Sequence, residues 1–398
     1  MNGLNKAAAF FAAVALGGSL FAASTDDRLS EVERKLDQVY ITTPNGTCGA
    51  NTAIGRPVLN SCDACCGSGW FVELSAIYWH AKVGGSDYAY TDQDPAGDFP
   101  VKGRMKDMDF HWDWGVKAGL GYNFEHDGWD LYLHYTFLDT NGDDKTFAGL
   151  NDTVIPLRGA ATLTPPLDDG TTTAFLFCTH AKSQYDFDFH SLDLELGRSF
   201  FVSKNLSLRP HMGLKAAWID LEQLTRYHGG NPVAASGRTT IGFNIFGLDG
   251  NTVHVKDKSN FRGLGPRTGL NTEWYLGRGF SLFGETSLAM VFGLFDAEHK
   301  ERYSLDVENR RIRLEVNRHG FTPTVQFQLG IAYKTYFNDD RNHLMLRLGY
   351  DSQYWWRVNQ TVYVNDIPVS VLGSGVRYAR YSEDASLMGI TFDARVDF

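Results

Sequence analysis

Ile390-Thr391-Phe392-Asp393-Ala394-Arg395-Val396-Asp397-Phe398 alternates without a break: the even positions are apolar, the odd ones polar or charged, and the last residue is aromatic. Successive side chains of a strand point to opposite faces, so this stretch has an oily side and a charged side. An oily face ending on an aromatic, with no polar tail after it, is the pattern of the closing strand of a transmembrane antiparallel β-barrel. In that reading the oily side meets lipid, and Asp393, Arg395 and Asp397 face a wet lumen.

Working back along the chain, the same period of two recurs often enough to predict an all-β fold, an up-and-down barrel of ten strands from residue 70 to residue 398. The first places Trp70, Val72, Leu74, Ala76 and Tyr78 outward, with Glu73 and Ser75 inward. The second runs Phe110, Trp112, Trp114, Val116, Ala118, Leu120 and Tyr122, against His111, Asp113, Lys117 and three glycines. It turns into Trp129, Leu131, Leu133, Tyr135 and Phe137. The fourth, residues 184–196, changes phase: Phe187 and Phe189 are odd, Leu192, Leu194 and Leu196 even. Either a β-bulge repairs the register or the upper half of this strand leaves the membrane. The fifth carries Leu206, Leu208, Met212, Leu214, Ala216 and Trp218, with Pro210 forfeiting one ladder bond. A hairpin around Gly277-Arg278-Gly279 joins strands six and seven, and residues 337–342 join eight and nine.

The predicted connections alternate, four short and five long (79–109, 138–183, 219–263, 296–320, 356–386), as periplasmic turns and outer loops do. Within the long ones, residues 239–246, 252–257 and 310–316 also read as strands. Their faces carry more charge than lipid tolerates, so they extend the wall above the membrane; twelve or more strands is the alternative. Two aromatic girdles are predicted: Trp70, Tyr122, Trp129, Phe200, Trp274, Phe280, Tyr336 and Phe398 at the short-turn end, and Phe110, Phe137, Trp218, Phe292 and Tyr354 at the other.

Composition agrees. Aromatics make up 14% and charged residues 21% of 398 residues, and mean hydropathy is slightly negative. Only alternate barrel residues meet lipid, so this balance suits a barrel and not a helical membrane protein. A net charge of −10 argues against nucleic acid as a partner. Lys6, the apolar run 7–15 and the small residues Ala22-Ala23-Ser24 read as a secretory signal over 1–24. Leu29, Val32, Leu36 and Val39 follow at heptad spacing, an amphipathic helix over 25–40 that either joins protomers as a short coiled coil or docks on the barrel. Residues 41–69 form a Gly/Asn/Thr/Pro-rich linker with Cys48, Cys62, Cys65 and Cys66. In an exported chain disulfides are the default, and no histidine lies nearby to complete a zinc site. With Cys178 the count is five, so the odd thiol is either free and partly buried or bonded to another chain.

The segment Gly69-Trp70-Phe71-Val72-Glu73-Leu74-Ser75-Ala76-Ile77-Tyr78-Trp79-His80-Ala81, continuing to Asp87-Tyr88-Ala89-Tyr90, resembles the major outer membrane protein family of Legionella, which has members in chlamydia-related amoebal symbionts. Residues 111–124, 130–138 and the terminal strand fit the same pattern. The resemblance implies an abundant, pore-forming protein of the bacterial outer membrane, often disulfide-linked. It brings no catalytic residues, and the Cys62/Cys65/Cys66 cluster has no match in it.

The predicted lumen carries both signs, with Lys117, Arg209, Lys215, Arg267, Arg347 and Arg395 against Glu273, Glu285, Asp351 and Asp393. Lining a water-filled path they would set ion preference; in a narrow ten-stranded bore they would pair and fill it. The first gives a small or gated channel for ions or solutes, the second a closed structural or adhesive surface protein that meets host cells through its outer loops. An enzyme is the third class. His80, His134 and His190 near Asp186 and Asp188 do not by their spacing define a dyad, and neither catalysis, metal nor cofactor is expected. Asp139-x-Asn141-x-Asp143 opens like a calcium loop but has Asp144 and Leu150 where glycine and glutamate belong.

Overall fold

The computed structural model describes residues 69–92, 102–124, 128–148, 153–158, 178, 180–203, 205–228, 252–303, 311–337, 342–366 and 376–398. The predicted signal, the heptad helix through Leu29, Val32, Leu36 and Val39, the linker with Cys48, Cys62, Cys65 and Cys66, and the strand at 239–246 lie outside these residues.

Among the described residues fourteen strands follow in chain order: β1 (Gly69–Val83), β2 (Ala89–Asp92), β3 (Gly103–Lys106), β4 (Trp112–Asn123), β5 (Trp129–Phe147), β6 (Thr153–Pro156), β7 (His180–Arg198), β8 (Phe200–Ser203), β9 (Leu206–His228), β10 (Thr252–Gly277), β11 (Phe280–Tyr303), β12 (Arg311–Phe337), β13 (Asn342–Asp366) and β14 (Val376–Asp397). Ten of them pair antiparallel in the ring β1-β4-β5-β7-β9-β10-β11-β12-β13-β14, and β14 returns to β1. Closure removes the open edges that lipid cannot satisfy. The terminal stretch lies where its alternation puts it, with Phe392 opposite Ala76 and Ile390 opposite Tyr78, and the Phe398 amide donates to the Trp70 carbonyl at 2.9 Å. The count of ten ring strands is the predicted one.

The lipid face is carried by Leu74, Trp114, Met212, Leu264, Leu329 and Phe392, each between 47% and 71% exposed. At the short-turn end Trp70, Trp274, Phe280 and Phe398 of the predicted girdle are all more than half exposed, whereas Tyr336 does not join them: it shares the inward parity of Ala332 and Lys334, and its ring packs on buried His343 at 5.0 Å. The β10–β11 turn needs left-handed backbone at all three of its residues, with φ of 105° at Gly277, 56° at Arg278 and 84° at Gly279, which explains the two glycines. Pro210 sits one residue past the last β7–β9 pair, Gly197 with His211, but within the β9–β10 ladder, opposite Leu270.

Two further expectations are corrected, and for β7 the second of the two alternatives, an upper half that leaves the membrane, holds. The residues assigned to long loops are largely wall: β5 runs to Phe147, β9 to His228 and β11 to Tyr303, and residues 252–257 and 311–316 extend the wall as anticipated. No bulge interrupts β7, whose register with β5 and β9 is continuous from His180 to Gly197. Phe110 is not a lipid-facing rim residue. It makes an isolated bridge to Gly142, is 4% exposed and sets its ring edge-on to Tyr185 at 5.2 Å.

The upper part of the barrel therefore rises above the lipid as a tower, with a large apolar cluster on its inside. Ile77, Trp79, Phe187, Phe189, Ile219, Leu221, Phe261, Phe295 and Trp355 form one buried cluster there. The strands β2, β3 and β6 make a small separate sheet, with β2 in the middle; it carries Tyr88, Ala89 and Val154 into the same cluster.

Candidate functional site

The bore at membrane level is where the predicted lumen residues converge, because each occupies an inward position of a regular strand. The structure places Lys117, Arg209, Lys215, Arg267, Glu273, Glu285, Arg347, Asp351, Asp393 and Arg395 inside, and each of them is paired. Arg347 is the hub of one group: its guanidinium meets Glu285 at 2.5 Å, Glu73 at 3.0 Å and Asp393 at 3.2 Å and lies over the Phe283 ring. Arg267 joins Asp193 at 2.7 Å and Glu195 at 3.0 Å. Arg209 grips Asp130 through two nitrogens, at 2.5 and 2.8 Å, and reaches Glu195 at 3.0 Å, the bidentate geometry that suits a guanidinium to a carboxylate.

Nearer the outer end, the Lys117 ammonium donates to Asp351 at 2.6 Å beneath the Trp79 ring. Lys215 donates to Asp193 at 3.0 Å beneath Trp355. Nearer the short-turn end, Lys334 meets Glu273 at 2.7 Å, and Arg395 meets Asp397 at 2.6 Å with its guanidinium on the Phe71 ring. Gly119 and Gly121 make this filling possible. A Cβ at either would collide with the ring of Tyr132 or Phe71, both of which cross the bore. Between the pairs remains a cavity of about 80 Å³, lined by Glu73, Tyr132, Arg267, Gln328, Arg347 and Asp393 among others. It has room for on the order of five waters and is polar enough to hold them.

The tower closes the bore a second time. Arg158, just past β6, is wholly buried. Its Nε donates to the Asp87 carbonyl at 2.8 Å, its Nη1 meets Asp257 at 3.3 Å, and its Nη2 reaches the Gly85 carbonyl. The Tyr227 hydroxyl donates to the Tyr88 carbonyl at 2.5 Å and accepts from the Arg158 amide at 3.1 Å. On the other side of Asp257 stands His299, with Nδ1 at 2.5 Å from Asp257 and Nε2 at 2.7 Å from Glu301. Burial pushes the His299 imidazole down, but hydrogen bonds to these two carboxylates outweigh it and raise its pKa to about 9. Cys178 bridges to Val154; it is a free thiol, 3% exposed, and burial pushes its pKa up. Arg158 and His299 escaped the sequence reading. Arg158 lies in a stretch without alternation, and His299 lies on a strand whose outward face is charged, which hides the inward one.

The residues weighed for catalysis do not converge. His134 faces the lumen, 3.3 Å from Asp193, while His190 lies on the outer wall against Phe137, with the Tyr135 hydroxyl 2.6 Å from its Nδ1. His80 lies beside Trp112. Asp186 and Asp188 are on the outer face of the tower, where burial and neighbouring acids raise both pKa values. Asp139, Asn141 and Asp143 are in a regular strand opposite Asp188, Asp186 and Gln184, not in a cation-binding loop.

Comparison with solved structures returns outer-membrane barrels at low identity. The outer membrane protease OmpT from Escherichia coli is 12% identical, with 83% of this chain and 96% of that one covered and a TM-score of 0.37. A FadL homologue from Pseudomonas aeruginosa is 11% identical, covering 89% and 98%, with a TM-score of 0.24. The toluene transporter TodX of Pseudomonas putida is 10% identical, covering 83% and 89%, with a TM-score of 0.25. No curated protein matches the sequence. The family described as the Legionella pneumophila major outer membrane protein precursor matches residues 63–398. With the terminal strand paired, the girdle exposed and that match spanning the whole barrel, the chain belongs to the Legionella major outer membrane protein family and is a β-barrel of the bacterial outer membrane.

Proposed function

We propose that this barrel is a surface protein of the outer membrane whose resting bore is closed, holding a rigid tower above the lipid. The observation that carries this reading is the double filling of the bore, by paired charges at membrane level and by the aromatic cluster around Phe189 and Trp355 above them. Ten strands leave an interior that side chains can fill, and here they fill it at two heights. The tower strands would present the outer loops to host cells or to other envelope components. A catalytic role is not part of the proposal: His134 faces the lumen, while His80 and His190 lie on the outer wall against different partners, Trp112 and Phe137.

The second reading is a gated path for small ions. It is favoured by the polar cavity around Arg347, whose walls carry both signs, and by the pore-forming character that the family resemblance implies. Planar-bilayer recording with the purified protein separates the two. A closed surface barrel gives a flat baseline, apart from rare brief openings, across moderate voltages. Long-lived unitary steps with a reproducible cation/anion ratio would overturn that reading in favour of the channel.

A further inference from the structure

The outer face of the tower carries its charges in rows, because antiparallel register sets the outward residues of neighbouring strands side by side. Just above the lipid boundary, which Phe137, Trp218 and Leu294 mark, one row is acidic. Asp139 pairs with Asp188, Asp188 with Asp220, Asp220 with Asn260 and Asn260 with Asp296. Near the top another row is basic. Lys145 on β5 pairs with Lys182 on β7, Lys182 with Arg226 on β9, Arg226 with His254 on β10 and His254 with Arg302 on β11. All five point outward, since their chain neighbours Thr146, Ala181, Tyr227, Val253 and Glu301 are buried.

In the rows beneath, the cations are taken up by acids: Lys258 meets Glu222 at 2.8 Å, and Glu298 meets Lys300 at 2.6 Å and Arg313 at 3.0 Å. Lys145, Lys182, Arg226 and Arg302 have no carboxylate within ion-pair distance among the described residues. Lys145, Arg226 and Arg302 are exposed, and Lys182 and His254 are half-buried. Burial, and then the charges of Arg226 and Arg302 on either side, lower the His254 pKa. Like charges directly opposite one another destabilise a sheet. Here Lys145 faces Lys182 and Lys182 faces Arg226, a repulsion that a bound anion would relieve.

Neighbouring strands lie about 4.8 Å apart, so the five residues make a strip about 19 Å long with a cation or an imidazole at each step. The strip stands eight residues above the Trp218 row, about 26 Å along the strands, with the acidic row between. Anionic headgroups of the protein's own membrane lie too low to reach it, and Asp139, Asp188, Asp220 and Asp296 repel them. A linear polyanion arriving from outside fits such a strip. The next row up, Phe147, His180, His228 and Thr252, sets two imidazole rings 4.7 Å apart and a hydroxyl beside it, groups suited to the hydroxyls of a sugar chain. A single strand of nucleic acid calls instead for successive aromatic platforms among the cations, and the strip holds no Phe, Tyr or Trp.

We propose that Lys145, Lys182, Arg226, His254 and Arg302 form a binding strip for a sulfated polysaccharide on a surface facing the bacterium. Sulfation supplies charge at the close pitch of the strip; a chain with carboxylates alone, on every second sugar, leaves alternate cations unmet. The inference rests on the reading of the tower as a surface platform. It fails separately from the closed bore, because an open barrel could carry the same strip.

Surface plasmon resonance of the detergent-purified full chain over immobilised heparin tests this, with soluble heparin, fully desulfated heparin and a single-stranded oligonucleotide as competitors. Heparin should bind and weaken with added salt, and the affinity should fall about tenfold in the double variant Arg226→Gln, Arg302→Gln. It should return to within about threefold of wild type in Arg226→Lys, Arg302→Lys, which keeps the charge. Arg262→Gln, Arg278→Gln removes the same charge far from the strip and should stay within about twofold of wild type. Soluble heparin should compete, and the desulfated chain and the oligonucleotide should not. Folding of each variant is checked by its heat-dependent gel shift. Should the first double variant not fold, the exposed single change Arg226→Gln is measured, with a fall of about threefold expected. No binding at low salt, an equal fall in the matched variant, or equal competition by the desulfated chain or the oligonucleotide would each overturn the assignment.

Discussion

Strand β7 passes through two environments without changing its geometry. Below Ser191 it shows Leu192, Leu194 and Leu196 to lipid and turns Asp193 and Glu195 into the bore; above, it shows Asp186 and Asp188 outward and turns Tyr185, Phe187 and Phe189 inward. The odd residues are buried along its whole length, so it is the side chains that exchange polarity, not the strand that slips. β9 does the same, from Lys215 inside and Leu214 outside to Leu221 inside and Glu222 outside. Below the crossover the outside is hydrocarbon, so the apolar residues go there and the charges must satisfy one another within. Above it the outside is water, and the tower obeys the ordinary rule for soluble sheets, packing its aromatics inside.

The largest effect should come from breaking the lower half at its hub. Arg347→Ala leaves Glu73, Glu285 and Asp393 facing one another in a buried bore, and stranding buried charges costs about 3–5 kcal/mol. The expected outcome is a marked fall in the urea midpoint of the barrel refolded in lipid vesicles. A midpoint unchanged from wild type would mean that the membrane-level network is dispensable and the tower alone holds the fold.

Next in size is a matched pair on the outer face of β7. Leu194→Arg sets a charge in lipid and should cost about 2–4 kcal/mol if the position is near the midplane. Asp186→Leu, four rows higher on the same face, should change stability by less than about 0.5 kcal/mol. Equal costs for the two would place the lipid boundary elsewhere and dissolve the contrast between the halves.

The smallest global effect should come from pH, acting through His299 in the tower. His299 holds its proton more tightly when folded, with a pKa of about 9 against about 6.5 unfolded. Its contribution is therefore complete below about pH 6.5 and is lost as pH rises through about 9. Hydrogen exchange, corrected for its intrinsic pH dependence, should show residues 297–301 losing protection between pH 7 and 10 while the membrane-level strands keep theirs. His299→Gln should flatten that dependence; an unchanged profile would remove His299 as its source.

Much of this was legible in the sequence. The terminal strand, the Trp112–Tyr122 alternation and the hairpin at Gly277-Arg278-Gly279 each specify strand and face by themselves, because a period of two has a single geometric meaning. The ten lumen residues followed from the same parity. Phe110 was misjudged because its parity continues that of Trp112 while the strand itself does not reach it.

What the sequence determined alone was therefore the set of strands, their faces and the charges that turn inward, all properties of one strand and its solvent. Only the tertiary structure decided that Arg347 would gather Glu73, Glu285 and Asp393 from three other strands and that Arg158 would lock the tower from a segment with no pattern. Each joins residues far apart in the chain, and ring closure and register bring them together; no local periodicity encodes that.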